Sequence, residues 1–244
     1  MEHQYLYFLV IIVFAVIQSV FGMGILVFGT PTLLLMGYDF SDVLGLLLPS
    51  SVFISFTQMY TARKLDFSGK EKSNMVICAI AVVGLLSLIL TVSLKINIDI
   101  LIGIILIFSA AIRLSPKFRT AVNRALAGNQ RSFVLLMGAV HGLTNMGGAL
   151  LTLYSTSTQS EKVGIRATVS RYYLMFGLIQ LATLAILRPQ ALSLLGLEAA
   201  PLGLFIYWAV GNLLFIRATA PFYERLLTVF IAVYGIVVIT KDYI

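Results

Sequence analysis

The sequence predicts an all-α polytopic membrane protein. It should have about eight transmembrane helices in two four-helix repeats, with a glycine-interrupted first helix in each repeat. Three observations predict this. Of the 244 residues, 59% are hydrophobic and only 11% charged, and the mean hydropathy is +0.99. A soluble domain carries about 25% charged residues, so this chain lacks the polar surface to face water and the bilayer is its solvent. Apolar runs near the length of a membrane span recur along the whole chain. With no water to satisfy peptide groups, runs of this length are helices; barrel strands are shorter and alternate. Finally, one glycine-broken pattern occurs twice. The first copy is FGMGILVFGTPTLLLMGYDFSDVLGLLLPSS, centred on Gly22 and Gly24. The second is HGLTNMGGALLTLYSTSTQSEKVGIRATVSRYY, centred on Gly147 and Gly148. An offset of 124 residues aligns Gly24 with Gly148, Val43 with Ala167 and Leu46 with Ser170.

In chain order the spans fall at roughly 5–29, 41–60, 74–94, 98–114, 132–154, 165–187, 199–216 and 222–240. The beginning has no basic n-region and no small-x-small cleavage site, so it reads as a span rather than a signal peptide. The first and fifth segments are too long for one straight crossing. No Asp, Glu, Lys or Arg lies between Glu2 and Asp39, or between Arg131 and Glu161. In the first copy PTLLLMG stays apolar after Pro31, which predicts a broken or re-entrant element, and Pro31 biases Thr30 away from helical geometry. In the second copy TLYSTSTQS reads as a polar loop. Pro116 and Pro189 read as span stops. Gly138 and Gly142 form a GxxxG, a common mark of close helix contact. Cys78, the single cysteine, lies inside an apolar run and reads as a packing residue.

The net charge of +7 does not indicate a nucleic-acid partner, because the basic residues are dispersed among loops. Arg63, Lys64, Lys70 and Lys72 lie in the 61–73 loop, and Arg113, Lys117, Arg119, Arg124 and Arg131 in the 113–131 stretch. By the positive-inside rule both are cytoplasmic. The chain then divides into a first repeat over 1–112, a basic cytoplasmic linker over 113–131 and a second repeat over 132–244. Within the linker, Val122, Ala125 and Leu126 share one face of a short amphipathic surface helix. Four spans per half predict repeats related by an axis along the membrane normal. A re-entrant first element in each half would change the count and could invert the relation.

Two matched, glycine-interrupted segments in the halves of a membrane chain point to a transport site. A helix that breaks within the membrane leaves N–H groups unpaired, and its N-terminus is partly positive, which suits an anion. The candidate substrate-binding residues are Gly22, Met23, Gly24 and Pro31 in the first copy, with Ser50 and Ser51 following it. In the second copy they are His141, Asn145, Gly147 and Gly148, with Ser170 and Arg171 following. Arg171 lies within the sixth span, where an arginine faces a cavity or a partner, and its planar fork matches oxyanions bidentately. Arg166 reads as an interfacial anchor. His141 and Asn145 share a helical face, and His141 could carry a coupled proton. Gln18 and Ser19 precede the first cluster. Trp208 and Asn212 share a face of the seventh span. No Asp or Glu falls in the middle of any span, so the interior potential should favour anions. No catalytic constellation, metal-ligand set or cofactor motif appears, so neither an enzyme nor a cofactor is expected.

The segments GMGILVFGTPTLLL with DVLGLLLPSS, and NMGGALLTLY with VGIRATVS, resemble the TauE/SafE family of membrane transporters, also called the sulfite exporter or DUF81 family. The resemblance covers both halves. It implies export of sulfite, organosulfonates or related small anions across a bacterial or archaeal inner membrane, with the lipid bilayer and a small anionic substrate as partners. Such a secondary transporter would alternate access at the repeat interface, and could use a coupled proton or cation and form a homodimer. An anion channel and a non-catalytic membrane subunit are the alternatives. Uncoupled flux would mark the channel, and the lack of a solvent-reaching central cavity would mark the subunit.

Overall fold

A computed structural model describes residues 2–63, 65, 67–92 and 114–219, with isolated positions between 104 and 112 and between 222 and 240. The spans expected at 98–114 and 222–240 lie in large part outside the described residues. The described elements are α1 (Glu2–Phe21), α2 (Ile25–Leu35), α3 (Phe40–Thr61), α4 (Gly69–Thr91), α5 (Pro116–Thr144), α6 (Gly148–Thr158), α7 (Lys162–Leu187) and α8 (Leu194–Arg217). A 3₁₀ turn, Pro189–Ala191, precedes α8, and a π turn, Tyr207–Gly211, interrupts it. Four helices, α3, α4, α7 and α8, are long and apolar enough to cross a membrane, with 22, 23, 26 and 24 residues. Their outward faces carry Val76, Ile80, Leu178, Ile186, Leu213 and Ile216, all exposed, as lipid contact requires. Trp208 is exposed on the same kind of face, rather than lining an interior.

Local chemistry sets the helix starts. Ser68 accepts from the Glu71 amide at 3.2 Å, the N-terminal half of a capping box. Ser193 likewise accepts from the Gly196 amide at 3.3 Å. Pro116 opens α5. It sits in the first turn, where a missing N–H is harmless, and Ser115 caps the helix. The expected linker is therefore helical from Pro116 and runs into the next segment. A non-helical Asn129 (φ −136°, ψ 45°) kinks the two apart.

The first and fifth expected spans are each split. After Phe21 the chain turns back, so that Gly24 lies against Phe14 and Gln18 of α1. The Phe14 and Phe28 rings come within 5.9 Å of each other. With 11 residues, α2 is about 16 Å long, too short to cross. Pro31 is buried inside α2 and Thr30 stays helical; burial of Ile25–Pro31 outweighs the local bias. In the second half α5 ends at Thr144, and α6 returns beside it with Gly147 against Met137 and His141. TLYSTST is not a loop but most of α6. Its hydroxyls fold back onto their own helix: Thr152 on the Ala149 carbonyl (2.8 Å), Thr156 on Thr152 (2.8 Å) and Ser157 on Tyr154 (2.7 Å). Satisfied in this way, a polar stretch can be helical inside an apolar medium.

The two hairpins open toward opposite ends of the molecule. Tyr7 donates to the Leu46 carbonyl (2.9 Å) and Gln58 donates to the Ser19 carbonyl (3.0 Å). Thus α1 runs alongside α3 in the same direction, and the first hairpin opens where α3 begins. Gln130 of α5 and Thr158 at the end of α6 line one cavity with Ser68 and Glu71. The second hairpin therefore opens where α4 begins. Gly164 and Ala167, near the start of α7, adjoin the same end, and Arg188 after α7 donates to the Leu90 carbonyl at the end of α4 (2.9 Å). Lys162 caps the far end of α8 through the Phe215, Ile216 and Ala218 carbonyls (2.9, 3.2 and 2.6 Å), a favourable place for a cation.

Packing crosses between the halves. The partners of α4 include α5 and α7, those of α8 include α1 and α3, and α3 packs on α7. Glycines make these approaches possible. A Cβ on Gly138 would meet the Cys78 carbonyl of α4, and one on Gly142 would lie 2.8 Å from the Val82 carbonyl.

Candidate functional site

Each break has a left-handed pivot, Gly22 (φ 79°) in the first and Asn145 (φ 61°) in the second. Glycine adopts this conformation without cost, and asparagine tolerates it better than most residues. The pivots match in detail. The Gly22 amide donates to the Gln18 carbonyl at 2.7 Å, and the Asn145 amide to the His141 carbonyl at 2.8 Å. Phe28 donates back to Gly24 and Leu151 back to Gly147, each at 2.9 Å. All of these pairs are 123 residues apart. In this turn geometry Gly147, rather than the Gly148 of the 124-residue alignment, takes the place that Gly24 has in the first break, and Gly148 that of Ile25. The caps Asp39 and Glu161, which precede α3 and α7, are 122 residues apart. That register places Ser51 opposite Tyr173 and Gln58 opposite Gln180.

The first break is a closed hydrogen-bond network. Gln18 Oε1 accepts from the Ile25 amide at the start of α2 (3.2 Å). Its Nε2 donates to the Ser51 carbonyl and hydroxyl (both 3.0 Å) and to the Ser55 hydroxyl (3.1 Å). Gln58 Nε2 donates to the Gln18 and Ser19 carbonyls (2.9 and 3.0 Å), the last acceptors of α1. Ser170 donates to Gln58 Oε1 (2.9 Å) and bonds the Arg166 carbonyl (2.7 Å). Arg166 donates to the Ser19 carbonyl (3.1 Å) and to Asn212 Oδ1 (3.3 Å), and lies 3.4 Å over the Phe215 ring. Arg166 is thus the cation at this break, rather than an interfacial anchor alone. A Cβ on Gly22 would meet Val169 and the Arg166 carbonyl at 3.0–3.1 Å, so α7 seals the turn. Met23 is fully buried within it.

The second break is sparser. His141 Nε2 bonds Gln180 Oε1 at 3.2 Å, and its ring stacks on Phe176 at 3.9 Å. Asn145 Nδ2 donates to Thr30 Oγ1 of α2 at 2.8 Å, which ties the tip of the second hairpin to the middle of the first. A Cβ on Gly148 would overlap the Tyr173 hydroxyl and lie 2.5 Å from Val27. His141, Asn145, Tyr173 and Gln180 are fully buried. Each keeps one polar atom with no hydrogen-bond partner: Nδ1, Oδ1, Oη and Nε2 respectively.

Three expected site residues lie elsewhere. Pro31 is inside α2. Ser50 faces Gly203 of α8 and its hydroxyl is unpartnered. Arg171 sits at the end where the second hairpin opens. Its Nη1 lies 3.3 Å from both oxygens of Glu71, its Nη2 donates to the Leu65 carbonyl at 3.0 Å, and its guanidinium covers the Phe67 ring at 4.7 Å. Arg171 is 7% exposed and Glu71 9%, so a buried arginine without a carboxylate is not what the fold contains. Two cavities, of about 290 and 270 Å³, share Ser68, Glu71 and Gln159 in their walls, and Arg171 lines the smaller. Sequence reasoning missed Gln58, Tyr173 and Gln180 as site residues. The two glutamines carried a signal, an amide deep in an apolar span.

Crossing helices around two buried helix breaks, with apolar side chains turned outward, define a multi-pass helical membrane protein. The family model described as sulfite exporter TauE/SafE matches residues 7–240, and the chain belongs to that family. No curated protein and no solved structure gives a match. The family is one of transporters, so the lipid bilayer and a small-molecule substrate are this chain's partners.

Proposed function

We propose that the protein is a secondary transporter. It exports small anions, chiefly sulfite, organosulfonates and related sulfur oxyanions, across a bacterial or archaeal inner membrane by alternating access around the two helix breaks. One observation carries this reading: the hairpins enter from opposite ends, and the tip of the second touches the middle of the first through Asn145 and Thr30. Two hairpins that match residue for residue yet point opposite ways support inverted repeats, and exchange of their conformations would move the opening from one membrane face to the other. The charge balance favours anions. Arg166 supports the first break, while the hydrogen bonds described at both breaks involve no carboxylate. The Arg171–Glu71 pair then acts as a lock on the cytoplasmic vestibule rather than as the substrate's ligand. His141 can share a proton that arrives on the anion, since an imidazolium there would gain a counterion only from the substrate.

Purified protein in proteoliposomes should carry radiolabelled sulfite saturably, and unlabelled sulfite on the far side should accelerate the exchange. The acceleration separates a carrier from a channel. Folded protein that gives no anion flux above empty liposomes would refute the proposal.

A further inference from the structure

The two breaks are built alike but satisfied differently, and the difference locates the substrate. In the first, Gln18 caps the start of α2 through Ile25 and is itself held by Ser51 and Ser55. In the second, the equivalent position is His141, whose Nε2 is turned to Gln180. That contact leaves His141 Nδ1, Asn145 Oδ1, Tyr173 Oη and Gln180 Nε2 without partners in fully buried residues. Buried polar groups are nearly always paired. Among the described residues eight buried side-chain atoms lack a partner; Ser50, Thr168, Tyr172 and Tyr207 hold one each, and the other four belong to the residues of this one break, a concentration that marks a missing ligand. The Tyr173 hydroxyl lies against Gly148, the first residue of α6; the Gly148 and Leu150 amides have no acceptor within their own helix, whereas the Ala149 amide bonds the Met146 carbonyl at 3.3 Å.

Resting on the transporter reading, we infer that the second break alone is the anion seat. The Tyr173 hydroxyl, the Gln180 amide and the Gly148 and Leu150 amides of α6 hold one sulfur oxyanion head group. The first break is its self-capped structural counterpart. The same orphan set includes two acceptors, Asn145 Oδ1 and His141 Nδ1, which would repel a bare anion. The seat therefore selects an oxyanion that carries its own donor, such as protonated sulfite or an aminosulfonate zwitterion.

Calorimetric binding to purified protein tests this without requiring transport. The probes are hydrogen sulfite, 2-aminoethanesulfonate and ethanesulfonate; the variants are Tyr173→Phe, Gln180→Glu and, at the first break, Ser55→Ala. Tyr173→Phe and Gln180→Glu should each weaken hydrogen sulfite binding about tenfold or more, and Ser55→Ala less than about twofold. Tyr173→Phe should unfold at or above the wild-type temperature, because it removes a buried hydroxyl with no partner; a structural role would lower that temperature. The aminosulfonate should bind about tenfold more tightly than ethanesulfonate. Undiminished binding in both second-break variants, or a larger loss in Ser55→Ala, would overturn the seat. Equal binding of the two sulfonates would overturn the donor requirement. Sulfite flux that persists in Tyr173→Phe liposomes sinks the seat and leaves the transporter reading standing. Absent flux in the wild type sinks that reading, while binding still decides the seat.

Discussion

Replacing Arg171 with methionine keeps the length of the apolar stem and removes the guanidinium. Two 3.3 Å contacts to Glu71, one 3.0 Å bond to Leu65 and the stacking on Phe67 go with it. Removing one partner of a buried ion pair costs about 3–5 kcal/mol, because the remaining charge keeps its desolvation penalty and loses its counterion. The lower end applies here. The pair lines a cavity of about 270 Å³, where water can reach the remaining carboxylate. A loss of about 3 kcal/mol lowers the melting temperature of a chain this size by roughly 6–12 °C. Adding Glu71→Gln should recover much of the loss, since no charge is then stranded. The assay is thermal unfolding in detergent of both single variants and the double, closed as a double-mutant cycle. Anion binding by the folded double variant is the second readout and should persist. An Arg171→Met variant that melts with the wild type, or a double variant that melts no higher than the worse single, would refute the ion-pair account. A folded double variant that no longer binds anion would put Arg171 back at the substrate.

Three further outcomes follow from the same geometry. Gly24→Ala places a Cβ 2.5 Å from the Gln18 amide and 2.6 Å from the Phe14 carbonyl, both rigid backbone; it should cost about 1–3 kcal/mol or more, seen as a lower unfolding temperature. Gln58→Leu removes one bond each from the Gln18 and Ser19 carbonyls and from Ser170; each keeps a second partner, so the loss is about 0.5–1.5 kcal/mol per bond and the variant should unfold below the wild type. Gln159→Cys places a thiol on the vestibule wall while native Cys78 is buried. An impermeant maleimide should label it in inside-out vesicles only, and labelling in right-side-out vesicles would reverse the orientation.

The membrane class and the place of both breaks were legible because they depend on composition and on glycine, and the bilayer tolerates few alternatives for either. The register was not. Pairing glycines aligns Gly24 with Gly148, whereas the backbone matches conformations, and the second pivot is Asn145. Its left-handed geometry is invisible to a rule that looks for glycine. TLYSTST was misread because hydroxyls look like loop chemistry until each is seen bonded to its own helix. The carboxylate beside Arg171 was not legible because Glu71 is far away in sequence. Glu71 belongs to a loop and a capping box when read locally, and only the packing of α4 against α7 brings it to the arginine.

That packing also means that neither break is sealed by its own half alone. The first break is closed by Val169 and Arg166 of α7, and the second meets Val27 and Thr30 of α2. The fourth element of each half is shared across the interface in the same sense, α4 with α5 and α7, and α8 with α1 and α3. A break in a helix within lipid is tolerable only where other protein covers the freed backbone. Here each half covers the other's break, so neither hairpin can shift without disturbing contacts that its counterpart needs. If access alternates as proposed, burial itself would couple the two ends. That coupling would require no relay of side chains, because the residues that seal one break are carried on helices that begin or end beside the other.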